Sequence, residues 1–485
     1  MKSTATTFVA FLSLASLAAA DQKPNILFIA MDDLRPELGC YGRDYIKSPN
    51  IDRIAKAGMT FKRAYCQQAV CSPSRTSLMT GTRPDTTRVW DLVTHFRTTT
   101  PDVVTLGQHF KAHGYFVQGM GKIYHNSLDD EVTWSVPFHT PKVPRYALPE
   151  NLTLDQRQVT GKAKSKSRTP ANSRGPAFEA ADVPDATFQD GKVAELAVAT
   201  LRDMSAKKQP FFLAVGFVKP HLPFVAPKKY WDLYDPAAIQ LAPNPFYPKD
   251  APEYAILNHS GELRSYHGIP SDSIPADLAR QLKHGYYAAI SYADAQVGMV
   301  LDELDRLGLR ENTIVILWGD HGWKLGEHSA WAKHSNTEND TNAPLLISVP
   351  GMKRAGATSS ALVEFVDIYP SLAELAGLPL PAHLEGTSFK PLLDEPERPW
   401  KSAAFSQYPR EKLMGYTMRT DRHRFTIWVD AKDHAKVDAI ELYDHQTDPQ
   451  ENTNVANDPA NAAMVEQLTA QWKKGWQVAK PPVAN

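Results

Sequence analysis

Asn25-Ile26-Leu27-Phe28-Ile29-Ala30-Met31-Asp32-Asp33 decides the fold. The run up to Met31 is continuously apolar, the pattern of a central strand buried on both faces. It ends in two adjacent carboxylates. At the carboxyl end of such a strand they stand where open α/β sheets place ligands. A solvated turn accounts for one aspartate more easily than for two.

Strand and helix patterns alternate outward from this run. Ser48-Pro49-Asn50 opens a short helix that runs to Gly58. A helix at 105–113 closes at Gly114, and a strand at 115–118 leads into Gly121-Lys122-Ile123-Tyr124-His125. Helix periodicity over 191–208 precedes a buried strand at 211–217, which ends in Lys219-Pro220-His221. The long pattern at 276–308 is helical, and a strand at 313–318 ends in Gly319-Asp320-His321-Gly322. Strands at 345–349 and 362–366 and a helix at 369–376 continue the alternation. It predicts an α/β fold with a mostly parallel, doubly wound sheet.

Two stretches interrupt the pattern. Residues 140–190 lose periodicity and scatter Lys162, Lys164, Lys166, Arg168 and Arg174 among Ser, Pro and Gly, which reads as a solvated, mobile insert. Residues 241–275 are Pro-rich and irregular, a plausible site rim. After Leu393 the texture changes, with a linker at 395–399. Short strands at 403–408, 416–420, 425–429 and 440–443 and a helix at 462–474 follow. They predict a small C-terminal antiparallel sheet plus one helix. The expected division is a catalytic domain over 21–395 and an α+β subdomain over 396–485.

Residues 1–20 have the form of a signal peptide. Lys2 supplies the positive start, 8–17 is mostly apolar, and Ala18-Ala19-Ala20 offers a cleavage site. No stretch has the length of a membrane span. An exported protein is expected. The net charge of −1 over 485 residues argues against a bulk basic surface for nucleic acid, so any grip on an anion must be local. With only Cys40, Cys66 and Cys71, the odd count leaves at least one thiol unpaired or modified. Whether Cys40 and Cys66 pair is not legible.

Cys71-Ser72-Pro73-Ser74-Arg75 carries the chemistry. Ser72 is a fair N-cap, Pro73 suits a first helical turn, and Gly81 suits the stop. Cys71 then stands at a helix mouth that favours negative charge, with Arg75 one turn on. A nucleophile held where an anion is welcome suits an anionic ester. Asp32, Asp33 and Asp320 end two strands expected to lie side by side, and three gathered carboxylates call for a metal. Oxygen ligands indicate a hard ion such as Ca²⁺ or Mg²⁺, with His321 adding a nitrogen. Lys122, His125, His221 and Lys333 have ordinary readings singly, as surface charge or loop histidines. Their joint placement after strands reverses that.

The chain resembles the type I, formylglycine-dependent sulfatases, and within them the iduronate-2-sulfatase branch. The likeness rests on Cys71-Ser72-Pro73-Ser74-Arg75 with Thr80-Gly81-Thr82-Arg83-Pro84-Asp85, on Asp32-Asp33-Leu34-Arg35-Pro36, and on Asp320-His321-Gly322-Trp323. Leu325-Gly326-Glu327-His328 and Trp331-Ala332-Lys333 extend it. The resemblance implies an alkaline phosphatase/sulfatase-like fold and a formylglycine made from Cys71 by a maturation enzyme. It implies Ca²⁺ on Asp32, Asp33, residue 71, Asp320 and His321, although many sulfatases have Asn where His321 stands. Arg75 and Lys122 would hold the hydrated aldehyde and His125 would act as base. His221 and Lys333 would hold the sulfate or protonate the leaving oxygen, and Trp323 and His328 would line the substrate pocket. The implied activity is hydrolysis of sulfate esters on a glycan, with 2-O-sulfated uronate as the expected substrate. A phosphodiesterase or phosphonate hydrolase of the alkaline phosphatase superfamily is the rival enzyme, and a non-catalytic sulfated-glycan-binding protein the rival of another class.

Overall fold

The computed structural model describes residues 23–160, 174–207, 209–256 and 261–482. The leader read at 1–20 and the cations Lys162, Lys164, Lys166 and Arg168 lie outside the described residues.

Asn25–Asp32 (β1) is buried at every position. The other strands of its sheet are Met59–Tyr65 (β2), Phe116–Gly121 (β3), Phe211–Pro220 (β4), Thr313–Gly319 (β5), Leu345–Ser348 (β6) and Ala357–Glu364 (β7). They form a seven-stranded sheet in the order β7-β2-β6-β5-β1-β4-β3. β1 lies between β5 and β4 and is parallel to both. β6 runs antiparallel to both its neighbours, so the sheet is mixed but mostly parallel. β2 has no counterpart in the sequence reading, because Lys62 and Arg63 break its apolar run at the two half-buried positions.

Successive side chains of β1 enter opposite cores, as a period of two requires. Leu27, Ile29 and Met31 join one cluster with Val193 and Leu201 of Gln189–Ser205 and with Leu282 and Val297 of Ala276–Arg306. Ile26, Phe28 and Ala30 join the other with Leu78 and Met79 of Cys71–Thr80 and with Ile368 and Leu372 of Ile368–Leu375. Helices on both faces make the fold doubly wound.

The described parts of 140–190 hold regular structure that the sequence pattern does not show. They include a helix at Pro149–Thr160 and two short strands, Arg174–Pro176 and Phe178–Ala181. These pair with Tyr266–His267 and Phe224–Pro227, partners distant in the chain. Strands of this length are too short to print a periodic pattern.

The C-terminal strands Ala404–Arg410 (β8), Leu413–Arg419 (β9), His423–Asp430 (β10) and Asp433–Asp444 (β11) form an antiparallel meander. Ala462–Lys473 packs on it through Leu468, against Phe425 and Ile427. All three cysteines are free thiols, Cys66 and Cys71 buried.

Arg35, in the loop after β1, donates to Glu327 (2.9 Å) and to the Trp323 carbonyl (3.1 Å) in the loop after β5. Burial opposes ionisation of Glu327, but Arg35 and the Leu325 N–H outweigh it and bring the carboxyl down to about 2. A lowered acid stabilises the fold above its ordinary value of 4.5 and loses that contribution as pH falls towards 2. The contribution is on the order of 3 kcal/mol at neutral pH. We expect Glu327→Gln to lower stability by that order at pH 7, with the gap to the parent closing between pH 4.5 and 2. Urea midpoints measured across that range check it, and a gap that stays constant contradicts it.

Candidate active site

Met31 of β1 lies opposite Gly319 of β5, so the two strand ends deliver their acids to one place. Asp32, Asp33, Asp320 and His321 are fully buried. Asp33 has a left-handed φ of 60°, and its N–H donates to Asp320 Oδ1 at 3.0 Å. Cys71 is the first residue of the helix Cys71–Thr80, whose N-cap is Val70 with no side-chain cap, not Ser72. The helix starts earlier because the Ser74 N–H already reaches the Val70 carbonyl (3.0 Å). Pro73 therefore sits where its missing N–H costs nothing.

Arg75, fully buried one turn after Cys71, joins three strand ends. Its Nε donates to Asp320 (2.9 Å) and its Nη2 to Asp32 (3.1 Å). Nη1 donates to the carbonyls of Lys122 (2.5 Å) and Ile123 (3.0 Å), just beyond β3. These bonds use four of its five N–H groups. Lys122 reaches this point because β3 and β4 close on each other. A Cβ on Gly216 would stand 2.1 Å from the Lys122 carbonyl oxygen, so only glycine fits.

The Lys122 ammonium pairs with Asp32 and lies 4.0 Å from Cys71 Sγ. Lys333 pairs with Asp33 (2.8 Å) and sits over the Trp323 ring (4.9 Å from its centre). His221 Nε2 is 3.9 Å from both Asp32 and Asp33. His321 Nε2 lies 3.4 Å from Cys71 Sγ, 3.5 Å from Asp33 and 3.6 Å from Asp320. His125 lines the cleft beside Cys71 and Lys122, its Nδ1 buried without a partner. Burial and the neighbouring Lys122 lower its pKa to about 4, so the ring is neutral at physiological pH.

Burial raises Asp32, but Lys122, His221 and Arg75 outweigh it and hold the carboxyl well below the usual carboxylate range. Asp33 stays raised, because burial outweighs Lys333. Burial, joined by Asp32, pushes the Cys71 thiol well up, so an unmodified Cys71 is not a thiolate nucleophile.

Ligand atoms of Asp32, Asp33, Cys71 and His221 lie within 4.8 Å of one another, as do those of Cys71, Asp320 and His321. The five residues expected as metal ligands are thus gathered together, with His221 beside Asp32 and Asp33. The donor set of three buried carboxylates, one imidazole and the residue-71 side chain fits a hard divalent cation. A raised Asp33 is what a carboxylate short of positive charge shows.

Trp323 and His328 do not line the cleft. Trp323 is 1% exposed and lies beneath Lys333. His328 is fully buried and its Nε2 meets the Gln450 carbonyl oxygen (2.9 Å), fastening the C-terminal unit. The cleft, about 1360 Å³, is walled instead by Arg145, Arg174, Glu262, Arg264, Tyr266 and Tyr408, none foreseen as a site residue. The Pro-rich rim at 241–275 marked the region of Glu262, Arg264 and Tyr266 without singling them out, and Arg174 was counted among solvated cations. Arg145 and Tyr408 carry no local signal.

The family model described as Sulfatase matches residues 24–378, and that for N-sulphoglucosamine sulphohydrolase, C-terminal, matches 326–477. The chain belongs to the sulfatase family. The iduronate 2-sulfatase of Mus musculus is 36% identical to this sulfatase, over 95% of this chain and 96% of that protein. A solved structure of a protein with its substrate D-glucosamine-2-N,6-O-disulfate matches with a TM-score of 0.74 at 21% identity, covering 96% of this chain and 100% of that one. The phosphonate monoester hydrolase of Agrobacterium radiobacter matches with a TM-score of 0.72 at 23% identity, covering 93% and 95%. Those structural likenesses show a shared fold alone. The sequence relationship makes this sulfatase a sulfuric ester hydrolase.

Proposed function

We propose that this sulfatase hydrolyses sulfate esters of a sulfated glycan, 2-O-sulfated uronate units above all, through a formylglycine made from Cys71 and with Ca²⁺ bound. The observation that carries the reading is the placement of Cys71. Its Sγ stands at a buried helix mouth between the Lys122 ammonium and His321, beside three strand-end carboxylates.

Oxidised by a maturation enzyme and hydrated, residue 71 supplies an oxygen nucleophile with a second hydroxyl able to expel sulfate, so no water has to attack sulfur. Asp32, Asp33, Asp320 and His321 would hold Ca²⁺, which when bound supplies Lewis-acid polarisation of a sulfate oxygen. The remaining work belongs to side chains. Lys122, 4.0 Å from Sγ, and Arg75, one helical turn away, steady the residue-71 oxygens, and neutral His125 accepts a proton there. Lys333 and His221, which also line the cleft, would hold the sulfate and supply a proton to the departing sugar oxygen. The similarity to iduronate 2-sulfatase supports this substrate class. A leader over 1–20 fits an exported protein, and among the described residues no helix is long and apolar enough to cross a membrane.

The mass of the residue-71 peptide tests the reading directly. Conversion replaces H₂S by oxygen, and an unconverted mass in fully active protein contradicts it. Cys71→Ser keeps one oxygen but lacks the geminal hydroxyl. We expect at most one slow turnover and a stable sulfate adduct on that peptide, whereas sustained turnover argues for direct attack by water. Removal of Ca²⁺ with EGTA should lower both the melting temperature and the activity, with Ca²⁺ restoring both, and Asp320→Asn should abolish the Ca²⁺-dependent rise in melting temperature. Unchanged melting in stripped protein counts against the metal site. Turnover of 2-O-sulfated uronate oligosaccharides should exceed that of a sulfated galactose or fucose lacking a carboxylate, since remote binding energy orients the reacting group. Equal turnover removes the uronate assignment and leaves the sulfatase.

A further inference from the structure

Glu262 places a carboxylate in the wall of a cleft that must admit an anion. It precedes a short turn at Leu263–Ser265, outside both strand ends that carry the other acids. Its Oε1 lies 3.1 Å from His221 Nε2 and its Oε2 lies 3.1 Å from Lys333 Nζ, with Arg174 at 3.8 Å. Among the described residues it belongs to neither group of candidate metal ligands that includes Cys71. A charge of this sign facing an incoming sulfate raises the cost of binding, so its presence needs a compensating role.

The geometry supplies one. Each carboxylate oxygen takes one of the two side chains, so a single carboxylate sets the spacing between imidazole and ammonium. His221 is held from both sides, by the Leu222 carbonyl oxygen at Nδ1 (2.6 Å) and by Glu262 at Nε2. Lys333, on a flexible four-carbon stem, is held between Asp33, Glu262 and the face of Trp323. Burial opposes the charge on Glu262, but Lys333 and His221 outweigh it and hold the carboxyl well below the usual range.

We infer that Glu262 is a positioning residue that sets His221 and Lys333 beside the departing sugar oxygen. The inference rests on the proposed function, in which those two side chains face the ester. As the S–O bond breaks, its electron pair stays on the sugar oxygen and takes a proton from one of them, while sulfur passes to the nucleophile. A sugar alkoxide is strongly basic and depends on that proton. Nitrophenolate leaves without it.

The test compares kcat on a 2-O-sulfated uronate disaccharide and on 4-nitrophenyl sulfate for Glu262→Ala, Glu262→Gln and, as control, His221→Asn. Positioning of a proton donor predicts that Glu262→Ala loses about tenfold or more in kcat on the sugar ester beyond its loss on the aryl ester. Glu262→Gln, which keeps one acceptor oxygen, should fall between parent and Ala. The aryl ester also reports that each variant has folded. If His221→Asn shows the split and the Glu262 variants lose equally on both esters, or lose nothing, the inference is overturned and the proposed function stands. No split in His221→Asn overturns the assignment of that side to the leaving group, and the inference with it.

Discussion

One buried guanidinium holds this active site together. Arg75 bonds to Asp32 at the end of β1, to Asp320 after β5, and to two carbonyls after β3. A planar, always-charged fork with five donors can satisfy acceptors in several directions at once, which a lysine ammonium in the same place could not. Arg75 also belongs to the helix that presents residue 71, one turn away. The spacing between residue 71 and the acids is therefore set by a single side chain and its helix. Stability alone does not explain such a group, because burying these charges is costly and often no better than apolar packing. Its value is geometric.

Charge balance explains how the rest of the floor is tolerated. Asp32, Asp33 and Asp320 sit out of water, faced by Arg75, Lys122 and Lys333, each fully or almost fully buried. Burial still leaves Asp33 raised, so the arrangement has room for further positive charge at the point where the acids converge with His321. A further cation at that point would make such a site more receptive to an anion.

The C-terminal sheet takes part in the site without lining most of it. Arg424 on β10 donates to the Asn336 carbonyl (2.9 Å) and pairs with Glu338 and Glu451, while Arg410 on β8 bonds to the His334 carbonyl. Asn336 in turn donates to the Gly415 carbonyl (3.0 Å). These contacts fasten the segment that begins at Lys333. An ammonium on a loop would otherwise be loose, and here a second layer of structure restrains it.

The sequence by itself determined the buried strand with its paired aspartates and the alternation that builds a mostly parallel sheet, and it singled out the Cys71–Arg75 segment as the proposed seat of chemistry. Each is a local signal: an apolar run, a period, a motif at fixed spacing. Tertiary structure alone decided the antiparallel direction of β6 and the presence of β2, because hydrophobic patterning reports which face is buried and not which strand lies beside it. It decided that Trp323 and His328 turn inward as supports, and that Arg145, Arg174 and Glu262 form the cleft wall. Those three are charged residues in irregular stretches, and nothing in their neighbours distinguishes them from solvated ones. Their role exists only where distant segments meet, Glu262 against His221 and Lys333 being the plainest case.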